Sequence, residues 1–221
     1  MTVSVVFPAH NEAARIGASV RAAKALPEVA QVIVVDDGSD DETASLAERA
    51  GAKVIRLSAN LGKAEALRQG VLAAVGDVVL TLDADLGESV AEAARLLQEV
   101  TSGRADLAIA TLPKRPHRGG LGLVVGLARF GIRRLTGRLM QAPLSGQRAC
   151  RRQALLELGD LGRGWQVEVR MTIQALRRGL SVVEVETAMT HRATGRRPKD
   201  VWHRGGQFVG VAQALWYCWR S

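Results

Sequence analysis

Two cysteines, Cys150 and Cys218, are all that 221 residues provide, and their spacing fits neither a metal-ligand pair nor a disulfide framework. That argues against a disulfide-stapled or zinc-stapled module, and a reducing, cytoplasmic setting is the expectation. Aromatic residues make up only 4% of the chain, too few for an RNA-stacking platform. No stretch of about 18 uncharged apolar residues occurs, so no membrane-spanning helix is expected. The opening "MTVSVVFPAH" has neither a basic flank nor a small-residue cleavage site and reads as a first strand rather than a signal peptide. No G-x-G-x-x-G follows that strand, which argues against a dinucleotide-binding oxidoreductase. The G-x-x-x-x-G-K-[ST] spacing of a P-loop is also missing.

Acidic residues are scarce in the second half. Residues 1–110 carry 10 Lys/Arg and 16 Asp/Glu, whereas residues 111–221 carry 20 and 6. The net charge of +8 thus divides into −6 and +14. Such asymmetry points to an anionic partner for the second half: nucleic acid, an anionic membrane surface or a phosphorylated substrate.

What is present is a regular alternation of short β-branched runs with helical patterns. Strands are expected at 3–7, 31–37, 53–57, 77–83 and 105–111, and helices at 12–25, 41–51, 62–74 and about 88–101. Asp40 or Asp41 is the expected N-cap of the second helix, and Gly51 its stop. This pattern implies α/β architecture, a mostly parallel sheet covered by helices on both faces. The second half is less regular. A basic loop over 114–120 precedes an amphipathic helix over 121–139, with Leu121, Val124, Val125, Ala128, Ile132, Leu135 and Leu139 at helical spacing. "PLSGQRACRR" (143–152), a helix around 167–178, a strand at 180–186, a basic loop and a helical tail over 201–219 follow. No linker is visible, so one domain spanning 1–221 is expected, with halves at 1–111 and 112–221.

In an open α/β sheet, ligands bind beyond the carboxyl ends of the strands. "PAHNE", "DDGSDD", "NLGK" and "DAD" follow strands one to four in turn, so four polar clusters fall on one sheet edge. Asp83 and Asp85, one residue apart, would face the same way on a regular strand. They suit a hard cation such as Mg²⁺ or Mn²⁺, with a diphosphate completing its shell. Asp36 and Asp37 end the second strand, where an acidic residue accepts hydrogen bonds from a ribose or base. Lys63 sits at a helix start, where the helix dipole disfavours a cation, so a phosphate or a base carbonyl is its expected partner.

"FPAHNEA", "VIVVDDGSDDET", "NLGKAEALRQG" and "LTLDADL", in this order, resemble the family 2 glycosyltransferases of the GT-A fold over residues 1–111. "SGQRACRR" is similar to the "SGFRA" segment of the branch holding dolichol-phosphate mannose synthases and polyprenyl-phosphate sugar transferases. The resemblance implies a sugar transferase taking a UDP- or GDP-linked donor. It implies that Pro8, His10 and Glu12 line the nucleotide site, that Asp37 holds base or ribose, and that Lys63 lies near the base. Asp83 and Asp85 would meet the sugar, the ribose and the metal–diphosphate. Where the mannose synthases place a metal-binding glutamine, this chain has Gly87. His191 is the candidate replacement, because many GT-A enzymes recruit a late histidine.

The usual acidic "ED" pair that supplies an inverting base is missing from the second half. Glu168 is the nearest acidic candidate, and its position also suits a helix-start carboxylate. A phosphate acceptor is already anionic and needs no strong base. That fits the basic half, where Arg148, Arg151, Arg152, Arg192, Arg196 and Arg197 are candidate phosphate clamps. The expected acceptor is therefore phosphorylated: a polyprenyl phosphate at the cytoplasmic face of a membrane, met peripherally through residues 121–139 and the Trp-rich tail, or a soluble phosphate as in the retaining glucosyl-phosphoglycerate synthases. A non-catalytic nucleotide-sugar or nucleic-acid binding module is the reading from another class, with nucleic acid disfavoured by the few aromatics. A nucleotidyltransferase would need a basic, glycine-rich loop after strand one, which "FPAHNEAARIG" does not supply.

Overall fold

The computed structural model describes residues 1–113, 121–190 and 198–220. Seven strands form one sheet: β1 (Val3–Ala9), β2 (Val29–Asp36), β3 (Lys53–Arg56), β4 (Val78–Thr81), β5 (Leu107–Thr111), β6 (Arg148–Arg151) and β7 (Val182–Glu186), in the order β3-β2-β1-β4-β6-β5-β7. The pairs β1–β2, β1–β4, β2–β3 and β5–β7 are parallel, while β6 runs antiparallel between β4 and β5. Strand order reverses at β1, between β2 and β4, which is where an open α/β sheet opens its ligand crevice.

Period-two side-chain alternation gives the sheet two buried faces. Val3, Val5 and Phe7 of β1 point into one apolar cluster with Val32 and Val34 of β2. Val6, Ile33 and Val35 point into the other. The first face is covered by α1 (Ile16–Lys24), α2 (Thr43–Arg49) and α4 (Ala94–Thr101). The second is covered by α3 (Lys63–Ala73), α5 (Leu121–Thr136), α7 (Val167–Arg177) and α8 (Pro198–Arg220), with the short α6 (Arg152–Glu157) after β6.

Several boundaries differ from the sequence reading, each for a local reason. The first helix starts at Ile16, not residue 12, because Asn11 takes a left-handed φ of 56° and residues 13–15 form a turn. Asp41 fixes that turn by accepting from the Ala13 N–H, and it also takes the Thr43 N–H at the head of α2. The N-cap of α2 is Glu42, so neither Asp40 nor Asp41 takes that position, and the Asp40 N–H bonds to Asn11 Oδ1 at 2.9 Å. A continuous helix over 88–101 is replaced by a 3₁₀ segment, Ala84–Ala93, leading into α4, with a break at Gly87 (φ 57°). Buried Ser19 on α1 stabilises the break: its hydroxyl donates to the Ala84 carbonyl and accepts from the Gly87 N–H, both at 2.8 Å. Gly137 (φ 74°) follows the end of α5, so Leu139 falls outside the helix and is exposed. Val124, Ala128 and Ile132 pack into the core.

Strand β6 is unheralded in the sequence. Its four residues are "RACR", two of them charged. Because it pairs antiparallel with β4, matching Thr81 to Arg148, the segment entering it arrives at the carboxyl edge of the parallel strands.

Helix α3 lies tightly on β1 and β2 at Gly70, where a Cβ would meet Val6 Cγ1 at 2.3 Å and Val35 Cγ2 at 3.2 Å. Both valines are fixed in the sheet. Gly70→Leu should therefore destabilise the fold by about 1–3 kcal/mol through overpacking, despite leucine's better helix propensity. A lower urea midpoint at unchanged slope checks this; an unchanged midpoint refutes the packing account.

Candidate active site

Hydrogen bonds tie the loops at the carboxyl edge together. The His10 Nδ1–H donates to the Asp37 carbonyl at 2.9 Å, and the Asn11 amide lies 3.3 Å from His10 Nε2. With Nδ1 donating, Nε2 is the acceptor, so the neutral tautomer fits both contacts. The Asn11 N–H meets Ser39 Oγ at 2.9 Å, and the Glu12 N–H meets Thr43 Oγ1 at 2.8 Å. Asp37 is buried, and its two carboxylate oxygens accept the N–H groups of Leu61 and Gly62 at 2.7 and 2.8 Å. Asp37 therefore braces the loop that delivers Lys63. Asp36, also buried, accepts from the Ser39 N–H and hydroxyl. It lines an acidic cleft with Gly38, Ser39, Asp40 and Asp41.

Beside these loops lies a small pocket in which the polar groups of Lys63, Asp83, Arg148 and Glu168 meet an apolar wall of Leu67, Leu82, Val167 and Met171, with Pro8 and Gly146 at its side. Lys63 is the first residue of α3, after Gly62 at φ 92°. Its ammonium donates to Asp83 Oδ1 at 2.8 Å and to Glu168 Oε1 at 3.0 Å. Burial alone would lower the Lys63 pKa, but Asp83 and Glu168 outweigh it and hold the ammonium well above the ordinary lysine value. The two carboxylates also offset the unfavourable dipole at the helix start. Glu168, on the first turn of α7, is buried with 6% of its side chain exposed. One of its carboxylate oxygens meets Lys63 rather than bulk water.

Asp83 does not sit on a regular strand. β4 ends at Thr81, Asp83 is extended (φ −70°, ψ 142°), and Asp85 lies in the first turn of the 3₁₀ segment. Period-two alternation therefore does not apply to this pair. The Asp85 carbonyl accepts from Arg15 Nη1 at 3.1 Å, fixing the turn to α1's approach. Gly87 is buried and left-handed, which a glutamine there would adopt only with strain.

Arg148 is corrected as an open phosphate clamp. It is 2% exposed, and its guanidinium donates to the Ser145 carbonyl (2.8 Å), Thr172 Oγ1 (3.0 Å) and the Pro143 carbonyl (3.3 Å). The reason is β6: a residue inside the sheet directs its side chain into the interior. Burial pushes the guanidinium down to about 10, against the pull of nearby Glu168. Arg151 pairs with Asp106 away from this pocket. His191, Arg192, Arg196 and Arg197 lie outside the described residues. Among the described residues no group of three or more His, Cys, Asp or Glu is placed to hold a metal.

The sequence reading missed two contributors. Gln147, fully buried, donates from Nε2 to Asp83 Oδ2 at 2.6 Å. Gly146 leaves room for the cluster, since a Cβ there would lie 2.6 Å from Lys63 Nζ and 3.0 Å from Asp83 Oδ1. The "SGQ" tripeptide was the available signal, but only pairing of β6 with β4 brings it beside Asp83.

Comparison with known proteins agrees with this architecture. The family model described as Glycosyl transferase family 2 matches residues 4–159. A protein of Mycobacterium tuberculosis described as an uncharacterized glycosyltransferase is 32% identical over 201 residues, 88% of each chain. An undecaprenyl-phosphate 4-deoxy-4-formamido-L-arabinose transferase of Pseudomonas paraeruginosa is 38% identical over 111 residues, 46% of this chain and 33% of its own. Among solved structures, glucosyl-3-phosphoglycerate synthase from Mycobacterium tuberculosis, in complex with Mn²⁺, UDP and phosphoglyceric acid, is similar at a TM-score of 0.81 and 30% identity. That similarity covers 98% of this chain and 78% of the synthase. The four edge loops, the sheet that carries them and the match across residues 4–159 lead to one conclusion: the chain belongs to glycosyl transferase family 2 and is a glycosyltransferase of the GT-A fold.

Proposed function

We propose that the chain transfers a sugar from a uridine diphosphate sugar to a phosphorylated acceptor presented at an anionic lipid surface. The donor half rests on the edge loops. Pro8, His10, Glu12, Asp36 and Asp37 frame the nucleotide, with Asp37 acting through the 61–62 backbone it holds. Asp83 takes a hydroxyl of the donor sugar. The solved synthase similar to this chain binds UDP with Mn²⁺.

The donor set suits Mg²⁺ or Mn²⁺. Asp83, whose oxygens also accept from Lys63 and Gln147, and half-buried Asp85 would offer carboxylate oxygens to a divalent ion at this edge. One or two carboxylates suffice for a hard cation that shares a diphosphate, and His191 would add a nitrogen ligand. Bound there, the ion supplies charge stabilisation to the departing diphosphate. The transfer breaks the bond from the anomeric carbon to the UDP oxygen and forms one to an acceptor phosphate oxygen. That oxygen carries no proton, so no carboxylate base is required. Glu168 then serves to hold Lys63, and Lys63 holds Asp83 in place as a hydrogen-bond acceptor.

One observation carries the lipid-surface part: an apolar face on α5 and α8 that is exposed among the described residues. Val211, Ala214 and Cys218 of α8 are buried, while Phe208, Val209, Trp216 and Trp219 on the opposite side are 47%, 54%, 57% and 74% exposed. Leu123 and Phe130 of α5 are 77% and 69% exposed. The helices meet where Gly131 accommodates Leu215, so both apolar strips flank one seam. Exposed Arg133, Arg134 and Arg220 accompany them, with the Arg220 guanidinium 4.6 Å from the Trp216 ring centre. Apolar and aromatic anchors among cations match an anionic lipid interface. A second copy would set like charge against like. Among the described residues no helix is long and apolar enough to cross a membrane, so contact is peripheral. The Pseudomonas relative's name specifies undecaprenyl phosphate as acceptor. A soluble phosphorylated acceptor is the second reading, favoured by the phosphoglyceric acid bound to the similar synthase.

A thermal-shift panel of UDP- and GDP-sugars, with and without Mn²⁺, tests the donor. A UDP-sugar should stabilise the protein only with metal, by about 2.7 kcal/mol at a hundredfold excess over Kd. Asp85→Asn should abolish both the metal-dependent shift and turnover at unchanged melting temperature. No metal-dependent shift in the wild type rejects the donor reading.

Sedimentation with vesicles of phosphatidylglycerol and phosphatidylcholine tests the surface. The wild type should sediment with the anionic vesicles, and Phe208→Ser/Trp216→Ser/Trp219→Ser should stay in solution. Equal partitioning of both proteins favours the soluble acceptor.

Lys63→Met tests the bridge. It leaves Asp83 and Glu168 without their cation and should cost about 3 kcal/mol of stability. Because the folded-state pKa of Lys63 is raised, its contribution is fully present below the ordinary lysine value of 10.5, so the loss appears in full at pH 7 in urea denaturation. Wild-type stability in this variant would exclude the bridge as a structural element.

A further inference from the structure

We propose that Gln147 is a positioning residue that aims the Asp83 carboxylate at the donor sugar and so helps to set which sugar is accepted; this rests on the donor reading above. Gln147 is fully buried, yet its amide is used at both ends: Oε1 accepts from Ser145 Oγ at 3.0 Å and Nε2 donates to Asp83 Oδ2 at 2.6 Å. Asp83 is thus gripped from two sides. Lys63 holds one oxygen from the start of α3, and Gln147 holds the other from the start of β6. Two donors on different oxygens fix the plane of a carboxylate, which one alone leaves free to swing.

The segment carrying Gln147 is itself braced. Thr81 Oγ1 donates to the Gly146 carbonyl at 3.0 Å, and Arg148 holds the carbonyls of Ser145 and Pro143. Thr172, which accepts from Arg148, donates in turn to the Glu168 carbonyl at 2.8 Å. The clamp therefore joins β4, β6 and α7 in one network.

A neutral amide suits this task better than a second cation. Lys63 already balances the charge of Asp83, and another full charge would compete with the donor diphosphate's own counter-ion. The amide adds direction without charge. A carboxylate offers about four lone-pair sites, so an oxygen that accepts one N–H can also accept a sugar hydroxyl. Placing that hydroxyl is a matter of ångströms, and a site built around a hydroxyl rejects sugars that present it elsewhere. The "SGFRA" segment to which this stretch is similar has an apolar phenylalanine where this chain has Gln147. The amide donor beside Asp83 is therefore not implied by that resemblance.

The test titrates UDP and UDP-glucose, with GDP and GDP-mannose in parallel, into full-length protein and Mn²⁺ by calorimetry. Wild type is compared with Gln147→Met, of similar shape but without a donor, and Gln147→Glu, which sets a carboxylate against Asp83. Both variants should bind the nucleoside diphosphate like the wild type. Gln147→Met should bind the matching nucleotide sugar about tenfold more weakly, the worth of one hydrogen bond to a charged group, and Gln147→Glu more weakly still. A purely structural role would weaken nucleotide and nucleotide sugar alike, so equal losses overturn the proposal, as does undiminished sugar binding by Gln147→Met. Should Gln147→Glu fail to fold, Gln147→Met alone decides. If the wild type binds neither diphosphate, the donor reading fails and this proposal falls with it, whereas wild-type binding without the selective loss removes this proposal alone.

Discussion

The Lys63 ammonium, held between Asp83 and Glu168, joins parts of the chain that are otherwise independent. It sits at the start of α3, meets the end of β4 on one side and the first turn of α7 on the other, and spans 105 residues of sequence in a single contact. Two carboxylates this close would repel each other. With Lys63 between them they become a fixed feature of the crevice. A cation at a helix start is unfavourable by itself, so the position is understandable only together with its acidic partners.

The sheet topology makes that contact possible. Reversal of strand order at β1 opens the crevice, and the insertion of β6 antiparallel between β4 and β5 turns the second half back toward it. Were β6 parallel, Gly146 and Gln147 would enter at the opposite edge, far from Asp83. Gly146 shows how tightly the halves meet, since there is no room for even a methyl group against Lys63. Edge loops from the first half and the loop leading into β6 from the second form one surface because of one reversed strand.

Most of the first half was legible in the sequence because its signals are local. β-branched runs such as "QVIVV" bury both faces of a strand, and polar loops at their ends declare the functional edge. What could not be read was long-range. Asp37, expected at the base or ribose, also braces a loop, accepting from the amides of Leu61 and Gly62, residues 24 and 25 positions away. Arg148 looked like a phosphate clamp because a buried arginine and an exposed one are the same letter. Its burial follows from β6, a four-residue strand with charged ends that carries neither alternation nor an apolar run. Lys63 stands out in the sequence as a cation at a helix start, but its protein partners, Asp83 and Glu168, lie 20 and 105 positions away.

The basic half divides into two kinds of arginine, and the division bears on how an anionic acceptor would be met. Arg148 and Arg170 are buried and serve the fold; Arg170 stacks 3.6 Å from the centre of the Tyr217 ring and pairs with Asp160. Arg133, Arg134 and Arg220 stand in solvent beside the aromatic face of α8. A net charge of +14 on the second half therefore overstates the charge offered to a ligand, while its exposed part would attract anionic lipid over a distance under the proposed reading. Steering by such a surface works through the summed field, not through any single contact. An acceptor anchored in that surface would reach the crevice by lateral diffusion, so the arginines that concentrate it need not be the groups that bind its phosphate.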